Sequence, residues 1–248
     1  MTGATAVVVP CYNEATRLDV EAFAAFAAGH GDIELVMVND GSSDGTPAVL
    51  RDLASRTPGR VRVLDLPVNR GKAEAVRLGM LDALARRPEF VGYLDADLAT
   101  PLAAVLQLRE VFRERPAVEM VFGSRVRLMG RTIARRARRH YLGRVFATAV
   151  SMVLRLPIYD TQCGAKLFRA TPAVAALLAE PFTSRWIFDV EIVARRARSL
   201  GPGKRALMEQ LLFEFPLMEW RDVSGSKLRP LDFLRAVMEL ASIAARYR

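Results

Sequence analysis

Short apolar runs alternate with longer amphipathic stretches through the first hundred positions of the chain. Ala4–Pro10, Ile33–Val38 and Val61–Leu64 are rich in Val, Ile and Leu. They predict buried strands, because a strand covered on both faces shows no polar alternation. Between them, apolar residues at helical spacing predict helices over Ala15–Ala28, closed by Gly29, from Thr46 to about Arg56, and from Gly71 to Arg86. A fourth run, Phe90–Leu98, stays apolar until it ends in Asp95-Ala96-Asp97-Leu98. Strands that alternate with helices in this way predict an α/β fold with a mostly parallel, doubly wound, Rossmann-like sheet.

Ligands of such sheets bind beyond the carboxyl ends of the strands. Four polar turns fall there: Cys11-Tyr12-Asn13-Glu14, Asn39 to Thr46, Asn69-Arg70-Gly71-Lys72, and Asp95-Ala96-Asp97. Asp44 reads as a helix cap, whereas Asp40, at the strand end itself, reads as a ligand group. In an extended segment residues i and i+2 share a side, so Asp95 and Asp97 are expected to converge on one ligand. Hard oxygen donors suit Mg²⁺ or Mn²⁺, which bind through one or two carboxylates and keep positions for phosphates. An Asp-x-Asp triplet alone is common in solvated loops; its place at the end of a buried run is what singles this one out.

With 248 residues the chain is long enough for one large α/β domain. Its net charge of +9 calls for an anionic partner. The two cysteines, Cys11 and Cys163, are far apart and read as packed thiols of a reduced compartment. Met1–Thr5 lacks the basic start of a signal peptide. The longest apolar run, Val145–Leu154, is about half of the ~20 residues that span a bilayer. Just before it, Arg131–Arg144 holds six arginines and no acid. Nucleic acid is disfavoured as the partner, since only Tyr141 is interleaved for stacking. A helix over 131–156 lying on an anionic membrane surface fits better, each surface cation contributing about 1 kcal/mol. Leu231, Leu234, Val237, Met238 and Ala241 make residues 229–248 a second amphipathic helix, packed on the domain or touching that membrane.

Val-Val-Val-Pro-Cys-Tyr-Asn-Glu at 7–14, Val-Asn-Asp-Gly-Ser-Ser-Asp-Gly-Thr at 38–46, Asn-Arg-Gly-Lys-Ala at 69–73 and Leu-Asp-Ala-Asp at 94–97 together resemble family 2 glycosyltransferases of the GT-A fold. Tyr159 to Phe168, Arg185 to Glu191, and Arg221 with Ser224-Gly225-Ser226-Lys227-Leu228 make the likeness strongest to the polyprenyl-phosphate branch, the dolichyl-phosphate glucosyltransferases and mannose synthases. The resemblance covers nearly the whole chain, with residues 1–228 as the GT-A domain. It implies an inverting transfer of a hexose from a nucleotide-diphosphate sugar, UDP-glucose first and GDP-mannose next, to a polyprenyl phosphate. The enzyme would act on the cytoplasmic side, peripheral on the inner face of the cell membrane.

The resemblance also assigns roles. Pro10, Tyr12, Glu14 and Asp40 would line the base and ribose, and Lys72 would help close that pocket. Asp95 and Ala96 would touch the nucleotide, Asp97 would hold the metal with Asp95 nearby, and Arg221 and Lys227 would clamp the diphosphate. A lipid phosphate is already anionic at neutral pH, its second pKa being about 6. It needs cations rather than a strong base, and Arg125 and Lys166 are the candidates, with Arg131 or Arg139 guiding the head group. Asp160 and Asp189 would orient the sugar or the acceptor. On a helix Asp189 and Glu191 lie about 200° apart, so at most one faces the site, and Asp189 is the choice.

Rival readings stay open. A processive synthase would carry Gln-x-x-Arg-Trp, but Phe182 stands where that Gln would precede Arg185-Trp186. A family 2 enzyme acting on a sugar or other hydroxyl is the stronger rival, and a non-catalytic nucleotide-sugar-binding protein the weaker one.

Overall fold

A computed structural model describes residues 4–134, 137–201, 205–223 and 230–247, without the side chains of 137–142, 205 and 230–234. In chain order the elements are β1 (Thr5–Cys11), α1 (Val20–Gly29), β2 (Ile33–Asp40), α2 (Thr46–Arg56), β3 (Val61–Leu66), α3 (Lys72–Leu84), β4 (Phe90–Leu94), α4 (Ala104–Glu114) and β5 (Met120–Ser124). There follow β6 (Thr132–Ala134), α5 (Ala137–Leu154), β7 (Ala165–Arg169), α6 (Pro172–Leu177), α7 (Phe188–Leu200), α8 (Arg205–Leu211), β8 (Leu212–Pro216), β9 (Glu219–Arg221) and α9 (Pro230–Tyr247).

Among the described residues, seven strands form one sheet in the order β3-β2-β1-β4-β7-β5-β8, and β6 pairs with β9 in a separate two-stranded ribbon. The large sheet is parallel except for β7, which runs antiparallel between β4 and β5. Alternate strand residues feed opposite faces. Val8, Val36, Val38, Tyr93 and Phe122 join one apolar layer, and Val7, Val9, Leu35, Met37 and Val121 join the other. The expected α/β architecture with a mostly parallel sheet is what the chain forms.

Some element boundaries differ from expectation. The first helix begins at Val20 rather than Ala15. The Glu14 N–H is drawn to Thr46 Oγ1 (2.8 Å) and the Ala15 N–H to Asp44 Oδ2 (3.2 Å). Asp19 then caps the helix by accepting the Ala22 N–H at 3.0 Å. The basic segment also does not begin as a helix: Thr132–Ala134 pairs with β9, and α5 starts only at Ala137.

The last helix, α9, is packed on the domain. Leu240 and Ile243 are buried, and Glu239 accepts the backbone N–H groups of Trp186 (3.1 Å) and Ile187 (3.3 Å) at the start of α7. Its other face leaves Val237 and Met238 exposed.

Close approach of β7 to β4 requires a glycine. A Cβ on Gly92 would lie 2.1 Å from the Lys166 carbonyl oxygen. Gly92→Ala is therefore expected to cost about 1–3 kcal/mol, the range for overpacking a filled interior. A urea midpoint equal to that of the unmodified protein would show that β7 does not lie where described.

Candidate active site

The turns after β1 and β2 are bound to each other. Asn13, in the left-handed region at φ 54°, accepts the Ser43 N–H through Oδ1 (2.9 Å) and donates its own N–H to Ser42 Oγ (3.0 Å). Asp44 accepts the Thr46 N–H at 2.9 Å, at the entry to α2. Pro10 is the penultimate residue of β1, Tyr12 is exposed just beyond it, and Glu14 is half-buried.

Asp40, expected as a ligand group, is enclosed at the end of β2. Its two oxygens accept the backbone N–H groups of Arg70 (2.7 Å) and Gly71 (2.9 Å). Burial raises its pKa against those two bonds. The carboxylate thus holds the turn that starts α3 and carries Lys72. Gly41 permits this approach: its φ is +61°, and a Cβ there would meet the Val68 carbonyl carbon at 2.3 Å.

The β4 strand stops at Leu94, so Asp95 and Asp97 lie in a turn and not in the extended segment that period-two reasoning assumed. Asp95 still donates its N–H to the Gly164 carbonyl (2.9 Å). The turn is then closed by Asp97 Oδ1, which accepts the Ala99 N–H (3.0 Å), with Leu98 at φ 51°. Ala96 is buried in the core, while both acids stay partly exposed.

Lys72 Nζ lies 2.5 Å from Asp95 Oδ1. Burial would lower the Lys72 pKa, but the charges of Asp95, Asp189 and Asp97 raise it. Gly164 leaves room for the Asp95 carboxylate, since a Cβ there would lie 2.0 Å from Oδ2. Among the described residues no group of three or more His, Cys, Asp or Glu is arranged to hold a metal by itself. The edge offers two carboxylates, a donor set suited to a hard cation that completes its shell from phosphates and water.

Lys166 is fully enclosed. The register places it between Tyr93 on β4 and Phe122 on β5, and its ammonium lies 5.3 Å and 4.8 Å from those ring centroids. It donates to the Cys163 carbonyl and pairs with Asp189 Oδ1 at 2.9 Å. The Tyr93 hydroxyl donates to the same Asp189 oxygen. Burial disfavours both charges, pushing the Lys166 pKa down and the Asp189 pKa up. Asp189 therefore faces the strand edge, whereas Glu191, also buried, accepts from Ser184, Arg195 and Tyr247 and ties α7 to α9. Enclosed and paired in this way, Lys166 fixes Tyr93 and Asp189; it does not reach out to a phosphate as expected.

A second pair stands beside it. Arg125 donates Nε and Nη2 to the two oxygens of Asp160, each at 2.7 Å, and its backbone N–H reaches Asp160 Oδ2 at 3.0 Å. The guanidinium also stacks over Trp220 at 5.4 Å. Burial opposes the Arg125 charge, but Asp160 outweighs it and raises the pKa. Arg125 was expected to hold the acceptor phosphate and Asp160 to orient sugar or acceptor; here the two are bound to each other.

The group that holds Asp160 was not expected. Glu214 on β8 accepts the N–H groups of Tyr159 (2.7 Å) and Asp160 (2.6 Å). An acid inside the apolar run Leu212–Pro216 is its only trace in the sequence. Tyr93 and Gly164 were missed as well, because an aromatic in a strand and a glycine in a loop read as core and turn.

Arg221 lies on β9, its N–H bonded to the Ala99 carbonyl (2.9 Å), and its side chain lines a cavity of about 470 Å³ with Phe26 and Leu98. Arg131 precedes β6. Lys227 and the Arg139 side chain lie outside the described residues.

The family described as glycosyl transferase family 2 matches residues 6–174. A dolichyl-phosphate beta-glucosyltransferase of Drosophila melanogaster is 35% identical over 259 residues, covering 97% of this chain and 74% of that protein. A mannosyltransferase from Pyrobaculum calidifontis, solved with GDP-Man and Mn²⁺, superposes with a TM-score of 0.65 at 19% identity. That match covers 99% of this chain, which spans 65% of the other's length. Glucosyl-3-phosphoglycerate synthase from Mycobacterium tuberculosis, solved with Mn²⁺, UDP and glucosyl-3-phosphoglycerate, gives 0.65 at 19% identity, covering 99% of this chain and 80% of that one. At such identities the two structures establish a shared GT-A fold.

The buried pair makes a stability prediction. Asp189→Leu leaves the Lys166 ammonium without its partner and is expected to cost about 3–5 kcal/mol. Adding Lys166→Met should recover most of that loss. Urea unfolding of both variants checks this, and a double variant as unstable as the single one contradicts the pairing.

Proposed function

The chain belongs to glycosyl transferase family 2 and is a glycosyltransferase, and from that premise we propose that it moves glucose from UDP-glucose to a polyprenyl phosphate, inverting the anomeric centre. The observation that carries this reading is the 35% identity, over 97% of the chain, to a protein named as a beta-glucosyltransferase of dolichyl phosphate. GDP-mannose is the second donor to consider.

The strand edge suits the donor's diphosphate. Asp97, with Asp95 beside it, would hold Mg²⁺ or Mn²⁺, and such an ion supplies Lewis-acid stabilisation to a departing diphosphate. The fit rests on two hard carboxylates at one turn, with the Lys72 ammonium 2.5 Å from Asp95 Oδ1. Lys72 adds a cation where negative charge develops. Arg221 and Lys227 complete the proposed clamp, and Pro10, Tyr12, Glu14 and Ala96 the nucleotide side.

A lipid phosphate oxygen is anionic near neutral pH, so attack on the anomeric carbon needs positioning and no strong base. Asp189 accords with this. Its Oδ1 is shared between the Lys166 ammonium and the Tyr93 hydroxyl, the position of a group that orients its neighbours. A sugar hydroxyl acceptor would need an uncommitted carboxylate base, a role for which Asp189, engaged on both sides, is poorly placed. Displacement by an external nucleophile converts an α-linked donor into a β-linked glycosyl phosphate.

Peripheral attachment to an anionic membrane, on its cytoplasmic side, is part of the proposal. Among the described residues no helix is long and apolar enough to cross a bilayer. The basic segment from Arg131 and the exposed Met129, Val145 and Met152 favour contact with a lipid surface.

A thermal-shift panel of nucleotide sugars with Mn²⁺ tests the donor. UDP-glucose is expected to raise the melting temperature more than GDP-mannose, and a panel in which no UDP- or GDP-sugar stabilises the protein overturns the assignment. Asp97→Asn should lose the Mn²⁺-dependent part of the shift while the ligand-free protein melts unchanged; a retained shift removes Asp97 from the metal site.

A further inference from the structure

Three cations at the strand edge are already matched by acids: Lys72 by Asp95, Arg125 by Asp160 and Lys166 by Asp189. Arg144, on α5, is not. Its guanidinium stacks on the Tyr159 ring at 3.7 Å and gives one long hydrogen bond to the Tyr159 carbonyl (3.4 Å). Among the described residues no carboxylate lies within ion-pair distance of it. The acid whose charge it feels is Glu214, and both Glu214 oxygens are taken by the N–H groups of Tyr159 and Asp160. A guanidinium has five N–H donors in a fixed fork, so most of this one is left to bind an anion.

Arg144 stands at the end of a groove of about 270 Å³ between α5 and residues 157–159. The walls include Ala147, Thr148, Ser151 and Met152. Both hydroxyls are turned into the backbone, Thr148 donating to the Arg144 carbonyl (2.9 Å) and Ser151 to the Leu156 carbonyl. What remains facing the groove is largely hydrocarbon, and Met152, 73% exposed, extends it towards solvent. A cation at one end and a greasy trough leading away from it match one kind of molecule: an anionic head on an apolar chain. The cationic end is also next to the site, because Tyr159 precedes Asp160, which grips Arg125.

We propose that this groove seats the first isoprene units of the acceptor, with Arg144 drawing in its phosphate end. The proposal rests on the reading of the acceptor as a polyprenyl phosphate and adds where its chain leaves the site. Apolar burial then contributes at roughly 25 cal/mol per Å² removed from water, and the arginine contributes the polarity of binding.

The test is direct binding, measured by calorimetry, of two probes with the same head: a ten-carbon isoprenyl phosphate and ethyl phosphate. Thr148 and Met152 are exposed on the groove wall, so Thr148→Trp fills it and Met152→Asp charges it without touching the core. Unchanged melting temperatures verify folding. The unmodified protein is expected to prefer the isoprenyl probe, and each variant to weaken that probe by about 10-fold, or 1.4 kcal/mol, with ethyl phosphate little affected. Arg144→Gln should weaken both probes. If the isoprenyl phosphate binds the unmodified protein and both groove variants equally, the chain lies elsewhere and the groove is wrong while the acceptor class stands. If the unmodified protein binds no isoprenyl phosphate, the groove and the acceptor reading fall together.

Discussion

The charged edge of this protein depends on β7 lying antiparallel between β4 and β5. Because it runs against its neighbours, β7 begins where they end, and the residues before it, Asp160 to Gly164, are delivered to the edge where the parallel strands stop. Gly164 then touches Asp95, Asp160 grips Arg125, and Lys166 lies between Tyr93 and Phe122 with its ammonium on Asp189. Two glycines make this possible, Gly92 under β7 and Gly164 against the Asp95 carboxylate, each where a single methyl group has no space.

Buried charges at this density stand only when each has a partner and additional hydrogen bonds, because desolvation costs several kcal/mol per ion. The arrangement meets that condition. Asp160 accepts three bonds from Arg125, and its own N–H is held by Glu214. Asp189 accepts from a tyrosine and a lysine together. The chain's excess of +9 is therefore not concentrated in this edge; part of it lies in the segment from Arg131 to Arg144. The strand edge thus has fixed, neutralised pairs that set its geometry.

Much of the N-terminal half was legible in the sequence because strand, turn and helix there are local patterns. The apolar run to Pro10, the Asn39–Thr46 turn and the Lys72 turn are placed by neighbours in the chain. Contacts between distant segments were not legible. Asp40 reads as a ligand because its partners, the N–H groups of Arg70 and Gly71, are backbone groups that no side-chain pattern reveals. Lys166 reads as a phosphate-binding cation because its partner Asp189 lies on a helix 23 residues later in the numbering. Glu214 was invisible because its acceptor role depends on β8 pairing with β5, a register that forms only in the folded sheet. Asp95 and Asp97 were read as extended but lie in a turn, since β4 stops at Leu94 and Leu98 enters the left-handed region directly after them.

The proposed reaction turns on its acceptor: a phosphate on an isoprenoid chain, glucosylated with inversion. Radiolabelled UDP-glucose supplied with Mn²⁺, polyprenyl phosphate and a competing panel of free sugars decides it, with the product extracted and its anomeric configuration read by NMR. Label in the lipid phase as a β-linked glucosyl phosphate is the expected result. Label on a sugar hydroxyl with none on the lipid phosphate would contradict it.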